Sequence, residues 1–318
     1  MRIGIFGAGG IGGYLGARLA RAGVDVFFIE RGEHLRVMRE SGLRVLSLEG
    51  NFHLDSVTAS DSPADAGRCD AIFMAVKTWQ LDDAARHLGP MIGPHTLVIP
   101  LQNGVDAVPT LAARLGERHL VAGLARLLSE RPQPGVINHF GLRGEILIGE
   151  LDNRRSERLA ALRNVLIDAG INCTIPADIH VALWEKFVAI VGWGGPASLA
   201  RAPLGALRSV AESRALIAAG MHEVADVGRA RGIALDSEVV ERKLAVLDGL
   251  PAAATNSLQR DFQQQRPSEL DALCGALIRL GREVGVPTPV AAFCHAALLP
   301  LELRARGQLD FAANHPHY

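Results

Sequence analysis

The spacing of hydrophobic residues changes character near the middle of the chain. Up to about residue 176, short apolar runs alternate with stretches in which apolar residues recur every three or four positions, a strand and helix alternation. Ile3 to Phe6, Val24 to Ile29, Ala71 to Val76 and Thr96 to Leu101 are the clearest strand runs. Leu43 to Leu48 and Asn51 to Val57 flank Glu49-Gly50, which predicts an inserted hairpin. Further strand-like runs follow at Leu120 to Ala122, Val136 to Phe140, Glu145 to Ile148 and Ile171 to Ile175, with a periodic helix from Ser156 to Ala169. Beyond Pro176 only the helical period persists. Asp178 is placed to cap a helix that runs towards Gly194-Gly195-Pro196. More helices are expected near 210–231, 237–247, 255–265, 268–285 and 289–304, separated by glycine and proline. The pattern divides the chain into an α/β domain over residues 1–176 and an all-helical domain over 177–318.

Composition narrows the classes. At 318 residues and 48% hydrophobic, the chain is long enough for two buried cores. Thirty-three Lys+Arg against 34 Asp+Glu leave a net charge of -1, so no overall field favours nucleic acid or an anionic membrane. There is no run of 18 apolar residues and no basic-then-apolar leader, so a cytoplasmic protein is expected. Cys69, Cys173, Cys274 and Cys294 are scattered without metal-ligand spacing, and no metal site is expected. His315 and His317 sit in a polar tail, where adventitious metal binding is the most they offer. Long apolar faces in the helical half leave room for a homodimer.

Candidate chemistry begins at the first turn. Gly7, Gly9 and Gly12 form G-x-G-x-x-G between a strand and a helix. In that setting the glycines allow a tight turn, close backbone approach to a pyrophosphate and close helix packing, with the helix N-terminus at Gly10 and Ile11 facing the anion. Dinucleotide binding is expected. At the end of the second strand Glu30 suits a ribose 2′-hydroxyl and Arg31 suits a 2′-phosphate. Lys77, after another strand, is either a second cation for a phosphorylated cofactor or a solvated loop lysine. Two cations at two strand ends favour NADP over NAD. Asn103, in Gln102-Asn103-Gly104, either reaches a nicotinamide or a substrate or simply makes a turn.

In the helical half, Leu183, Lys186, Ile190 and Trp193 share one helix face. A lysine there either snorkels to water or sits in a cleft as an acid. Glu269 reads as a carboxylate of a first helical turn, favoured there by the helix dipole, or as a site residue. Ser257, beside Thr255 and Asn256, reads as part of an N-cap cluster or as a ligand-binding hydroxyl.

Taken together, Gly7-x-Gly9-x-x-Gly12, Val76-Lys77-Thr78-Trp79-Gln80, Gln102-Asn103-Gly104, Leu183-Trp184-Glu185-Lys186, Ser257, Pro267-Ser268-Glu269-Leu270-Asp271 and Gly285-Val286-Pro287-Thr288-Pro289 resemble the ketopantoate reductase (2-dehydropantoate 2-reductase) family, in order and over nearly the whole chain. The resemblance implies an N-terminal Rossmann domain and an all-α C-terminal domain like that of 6-phosphogluconate dehydrogenase. It implies reduction of a small 2-oxo acid with NADPH, as in pantothenate biosynthesis. By the same resemblance Gly7, Gly9, Gly10, Ile11, Gly12, Arg31, Lys77 and Asn103 bind NADP(H). Lys186 is the catalytic lysine, Ser257 and Asn103 hold substrate, and Glu269 is the site carboxylate. An ammonium beside a ketone oxygen would stabilise its developing charge and supply its proton.

Two positions depart from the family. Where its lysine helix carries asparagine four and eight residues on, this chain has Ile190 and Gly194. Losing a hydrogen-bond partner at a substrate-binding position changes discrimination strongly. The resemblance therefore implies ketopantoate reduction, the same chemistry on a less hydroxylated 2-oxo acid, or an NADPH-binding sensor without catalysis. The retention of Lys186 and Glu269 speaks against the sensor.

Overall fold

The computed structural model describes residues 1–311, so His315 and His317 lie outside the described residues. The chain forms two compact units: residues 1–102 with 106–179, and residues 103–105 with 180 onward.

In the first unit, strands β1 (Arg2–Phe6), β2 (Asp25–Ile29), β5 (Thr58–Ser60), β6 (Cys69–Met74) and β7 (Ile92–Pro100) form a parallel sheet in the order β5-β2-β1-β6-β7. Ile3, Ile5, Ile72, Phe73, Val98 and Ile99 are fully buried, as expected of strands covered on both faces. The second sheet has the order β10-β9-β3-β4 from β10 (Asn172–Thr174), β9 (Val136–Gly149), β3 (Leu43–Ser47) and β4 (Phe52–Leu54), with β8 (Ala122–Gln133) paired to β9. The predicted hairpin is present as antiparallel β3 and β4, with Leu43 opposite Leu54.

The pattern understated this second sheet. Val136 to Phe140 and Glu145 to Ile148 are two ends of one 14-residue strand, and β8 extends to Gln133 beyond the expected Leu120 to Ala122. Arg126, Ser129, Glu130 and Arg131 lie on that extension, at half-buried or exposed positions, so it lacks the apolar signal of a buried strand. Helix Gly10–Arg21 forms the layer between the sheets. A side chain at Gly16 would strike Phe28 of the first sheet, and one at Gly13 would meet Ile137 of the second. Small residues there permit the sandwich.

The second unit is built on helix Ile179–Ala200, apart from its first residue, Ile179, which belongs to the first unit and whose N–H donates there to Asn153 Oδ1 at 2.9 Å. This helix runs through Gly194-Gly195-Pro196, where a stop was expected. Its glycines face three neighbours. A Cβ at Gly192 would collide with Met221, one at Gly195 with Cys294, and one at Gly194 would touch Leu258. Helices Ala211–Ala230, Ser257–Gln263 and Pro289–Ala305 thus approach its backbone closely, and the buried contacts outweigh the poor helix propensity. Leu204–Ser209 adds a short helix that the pattern did not reveal. Leu270 begins a helical stretch that passes through a π turn at Asp271–Gly275 into Ala276–Val284. All four cysteines are buried and reduced. Among the described residues no helix is long and apolar enough to cross a membrane.

Candidate functional site

The glycine turn shows a separate physical reason for each glycine. Gly7 has φ +99°, and a Cβ there would press on the Val76 backbone nitrogen. A Cβ at Gly12 would run into the Gly7 carbonyl oxygen. At Gly9 nothing lies within 4 Å of a Cβ position, so its backbone faces open space. Gly9 is the N-cap of the helix that begins at Gly10, and no side chain caps it. The first-turn N–H groups of Gly10, Ile11 and Gly12 lack intrahelical acceptors by construction. An exposed backbone of this kind fits a dinucleotide pyrophosphate.

Glu30 is turned back onto this loop. Its carboxylate accepts from Ala8 N–H at 2.8 Å and from Arg31 N–H at 3.0 Å. Arg31 and Lys77 are exposed, and the Lys77 ammonium lies 5.7 Å from the centre of the Trp79 ring.

Two positioning residues carried no sequence signal of that role. Buried His34 donates from Nε2 to Ala8 O at 2.9 Å and accepts from Gly135 N–H at Nδ1, also at 2.9 Å. Those two bonds require the neutral Nε2–H tautomer, and burial pushes the imidazole pKa below its usual value. Buried Gln102 donates to Met74 O and Val76 O, both at 2.9 Å, and so fixes the turn that presents Lys77. Neither role follows from a motif, because each depends on partners remote in sequence.

In the second unit, Asn103 Nδ2 donates to Glu269 Oε2 at 2.9 Å, which joins residues 166 apart in sequence. Glu269 is buried, with 8% of its surface exposed. It sits just before the helix at Leu270, and its carbonyl accepts from Leu273 N–H at 3.0 Å. The expected first-turn carboxylate is thus a residue of the helix entrance. Ser268, before it, is pinned by Glu302, which accepts from Ser268 N–H at 3.0 Å, while Arg306 donates to Ser268 O at 3.1 Å. Asn256, not Ser257, caps the following helix, its Oδ1 accepting from Gln259 N–H at 2.8 Å. Ser257 is exposed. Lys186 and Ile190 are half-buried, and Gly194 is buried. Leu258, absent from the sequence expectations, is the nearest neighbour of a Cβ at Gly194, at 3.4 Å.

Comparison with known proteins places this geometry. Residues 3–153 match the family described as Ketopantoate reductase PanE/ApbA, and residues 178–302 match its C-terminal counterpart. The chain belongs to the ketopantoate reductase family. A 2-dehydropantoate 2-reductase of Mesorhizobium japonicum is 31% identical over 311 residues, covering 91% of this chain and 94% of the relative. The crystal structure of 2-dehydropantoate 2-reductase from Geobacter metallireducens has TM-score 0.88 at 29% identity, covering 96% of this chain and all of the other. A D-mandelate dehydrogenase solved with NADH and anilino(oxo)acetate shares the fold, with TM-score 0.87 at 22% identity over 96% of this chain and 99% of the other. As a member of this family the protein is an oxidoreductase that uses a nicotinamide cofactor and a small-molecule substrate. The Rossmann-type first unit and helical second unit agree with that membership.

Proposed function

We propose that this protein reduces a 2-oxo acid to the 2-hydroxy acid with NADPH, with Lys186 as the proton donor. The observation that carries the reading is the 2.9 Å bond between Asn103 and buried Glu269, a polar pair in the same compact unit as Lys186. A buried carboxylate that accepts one amide N–H keeps acceptor capacity for a further partner.

Gly7, Gly9, Gly10, Ile11 and Gly12 would hold the cofactor pyrophosphate, and Asn103 the nicotinamide end. When bound, the cofactor supplies the hydride. Lys186 then stabilises negative charge on the ketone oxygen and delivers its proton there. Ser257 would bind the substrate carboxylate, and Glu269, fixed by Asn103, would orient the ammonium or accept a substrate hydrogen bond. NADPH is favoured over NADH because both oxygens of Glu30 already accept backbone N–H groups, while Arg31 and Lys77 present exposed cations. Ketopantoate, for which the Mesorhizobium relative is named, is the reference substrate for assay.

The test is NADPH oxidation with a panel of 2-oxo acids. Lys186→Ala should lower kcat by about 10²–10⁴-fold, the range for loss of a general acid, with NADPH affinity unchanged. Turnover that survives this substitution would remove Lys186 from the mechanism. Cofactor binding by the wild type without reduction of any acid would favour a sensor.

A further inference from the structure

We infer that Glu302 is a positioning residue for Glu269: through Ser268 it fixes the backbone on which the site carboxylate stands. The inference rests on the proposed place of Glu269 in the site, and all the groups it invokes lie in the second unit.

Glu302 shares the buried side of helix Pro289–Ala305 with Ala291, Cys294 and Leu298, and only 4% of its surface is exposed. An apolar residue would continue that stripe without electrostatic cost. A buried carboxylate destabilises the fold unless hydrogen bonds and an opposite charge surround it. Both are present. Ser268 N–H donates to Glu302 Oε1 at 3.1 Å and to Oε2 at 3.0 Å, Ser268 Oγ donates to Oε2, and Arg306 Nε donates to Oε1 at 2.7 Å. Arg306 also donates from Nη2 to Ser268 O at 3.1 Å. Glu302 and Arg306 together engage the N–H, the hydroxyl and the carbonyl of one fully buried serine.

What they hold is the chain on either side of Glu269. Leu270 N–H donates back to Ser268 Oγ at 3.3 Å, and Leu270 is itself fully buried. The Glu269 carbonyl accepts from Leu273 N–H at 3.0 Å. With residues 268 and 270 both tied, Glu269 retains only side-chain rotation, and the 2.9 Å bond from Asn103 restrains that. Site groups act only when held within about 0.5 Å of their productive positions. A charge buried to grip the residue before the site carboxylate fits this demand, whereas packing two helices together requires no charge.

A double-mutant cycle separates positioning from general support of the fold. Glu302→Gln keeps the shape of the side chain and removes its charge. With NADPH and the 2-oxo acid that the wild type reduces fastest, it should lower kcat by about 10–10²-fold, the effect of a misplaced site group, with KM for NADPH unchanged. In a Glu269→Gln background the same substitution should change kcat by less than about twofold, because the group it places is already gone. Equal falls in the two backgrounds, or no fall in the first, would overturn the inference. If Glu302→Gln does not fold, Ser268→Ala, which removes the hydroxyl and leaves the backbone N–H, takes its place in the cycle, with a smaller fall in the same direction expected. If no acid is reduced, the reductase reading fails on its own; in that case, or if Glu269→Gln has no measurable rate or full activity, urea unfolding decides. Asn103→Ala should lower the urea midpoint less in the Glu302→Gln protein than in the wild type, and the same shift in both would overturn the inference.

Discussion

Glu30 and Arg31 are neighbours in sequence and differ in what they face. The carboxylate is turned inward, bonded to Ala8 N–H and Arg31 N–H, and orders the glycine turn. On the proposed NADPH reading the exposed guanidinium would take the 2′-phosphate, where a charge-assisted, two-pronged contact is strong. Arg31→Ala should therefore raise KM for NADPH by about tenfold or more, the value of roughly 1.4 kcal/mol, while leaving KM for NADH nearly unchanged. Parallel steady-state measurements with the two cofactors check this. An equal rise for both would show that Arg31 supports the loop and does not read the phosphate. Glu30→Gln should weaken both cofactors alike, because its amide NH₂ would confront a backbone N–H that the wild-type oxygen accepts. That pair of outcomes separates selection of the phosphate from maintenance of the turn.

Helix Ile179–Ala200 turns on the same kind of local distinction, now between adjacent glycines. A Cβ at Gly195 would lie 2.8 Å from Cys294 Cβ and 2.9 Å from its Sγ, inside a packed core. Gly195→Ala should cost about 1–3 kcal/mol through overpacking, more than the roughly 1 kcal/mol that alanine gains in helix propensity. Gly194→Ala meets Leu258 no closer than 3.4 Å and should be neutral or stabilising by up to about 1 kcal/mol. Urea denaturation of the two variants measures the contrast, and destabilisation of both to the same degree would refute it. The helix also shows where sequence reading reached its limit. Gly194-Gly195-Pro196 carries every local stop signal, yet Met221, Cys294 and Leu258 pack against the glycines and the helix continues to Ala200. Tertiary contact overrode propensity. The polar extension of β8 was hidden for the complementary reason, since its exposed residues give no apolar alternation. Gly9, Asn103, Lys186 and Glu269 stand in motifs and so could be listed as candidates from the sequence, and the Asn103–Glu269 bond joins two of them. Leu258, Gln102 and His34 could not be listed, because their roles are defined by partners far along the chain.

At the scale of the whole molecule, stability depends on three hydrophobic clusters among the described residues, two in the first unit and one in the second, and His34 gives the first unit a pH dependence. The ring fastens the glycine turn, through Ala8 O, to the β8–β9 turn, through Gly135 N–H, and it can make both bonds only when neutral. Protonation would set an N–H against the Gly135 N–H. Burial is the main cause of the lowered pKa, with the Arg131 charge acting in the same direction and Glu30 and the Ala8 hydrogen bond opposing it. Because the folded value lies below the unfolded value of about 6.5, the unfolded chain binds the proton more readily. Stability is thus complete above pH 6.5 and declines as pH falls from there through the folded pKa. His139, also lowered chiefly by burial, adds to the same slope. Glutamine can keep one donor and one acceptor without titrating, so His34→Gln isolates one part of the effect. Between pH 7.5 and 5.5 the wild type should lose about 1 kcal/mol more than the variant, the linkage expected of one such histidine over that interval. Urea unfolding at the two pH values provides the measurement. Identical losses would mean that His34 binds its proton equally well in the folded and unfolded chain, and the two-sided latch on the glycine turn would have to be abandoned.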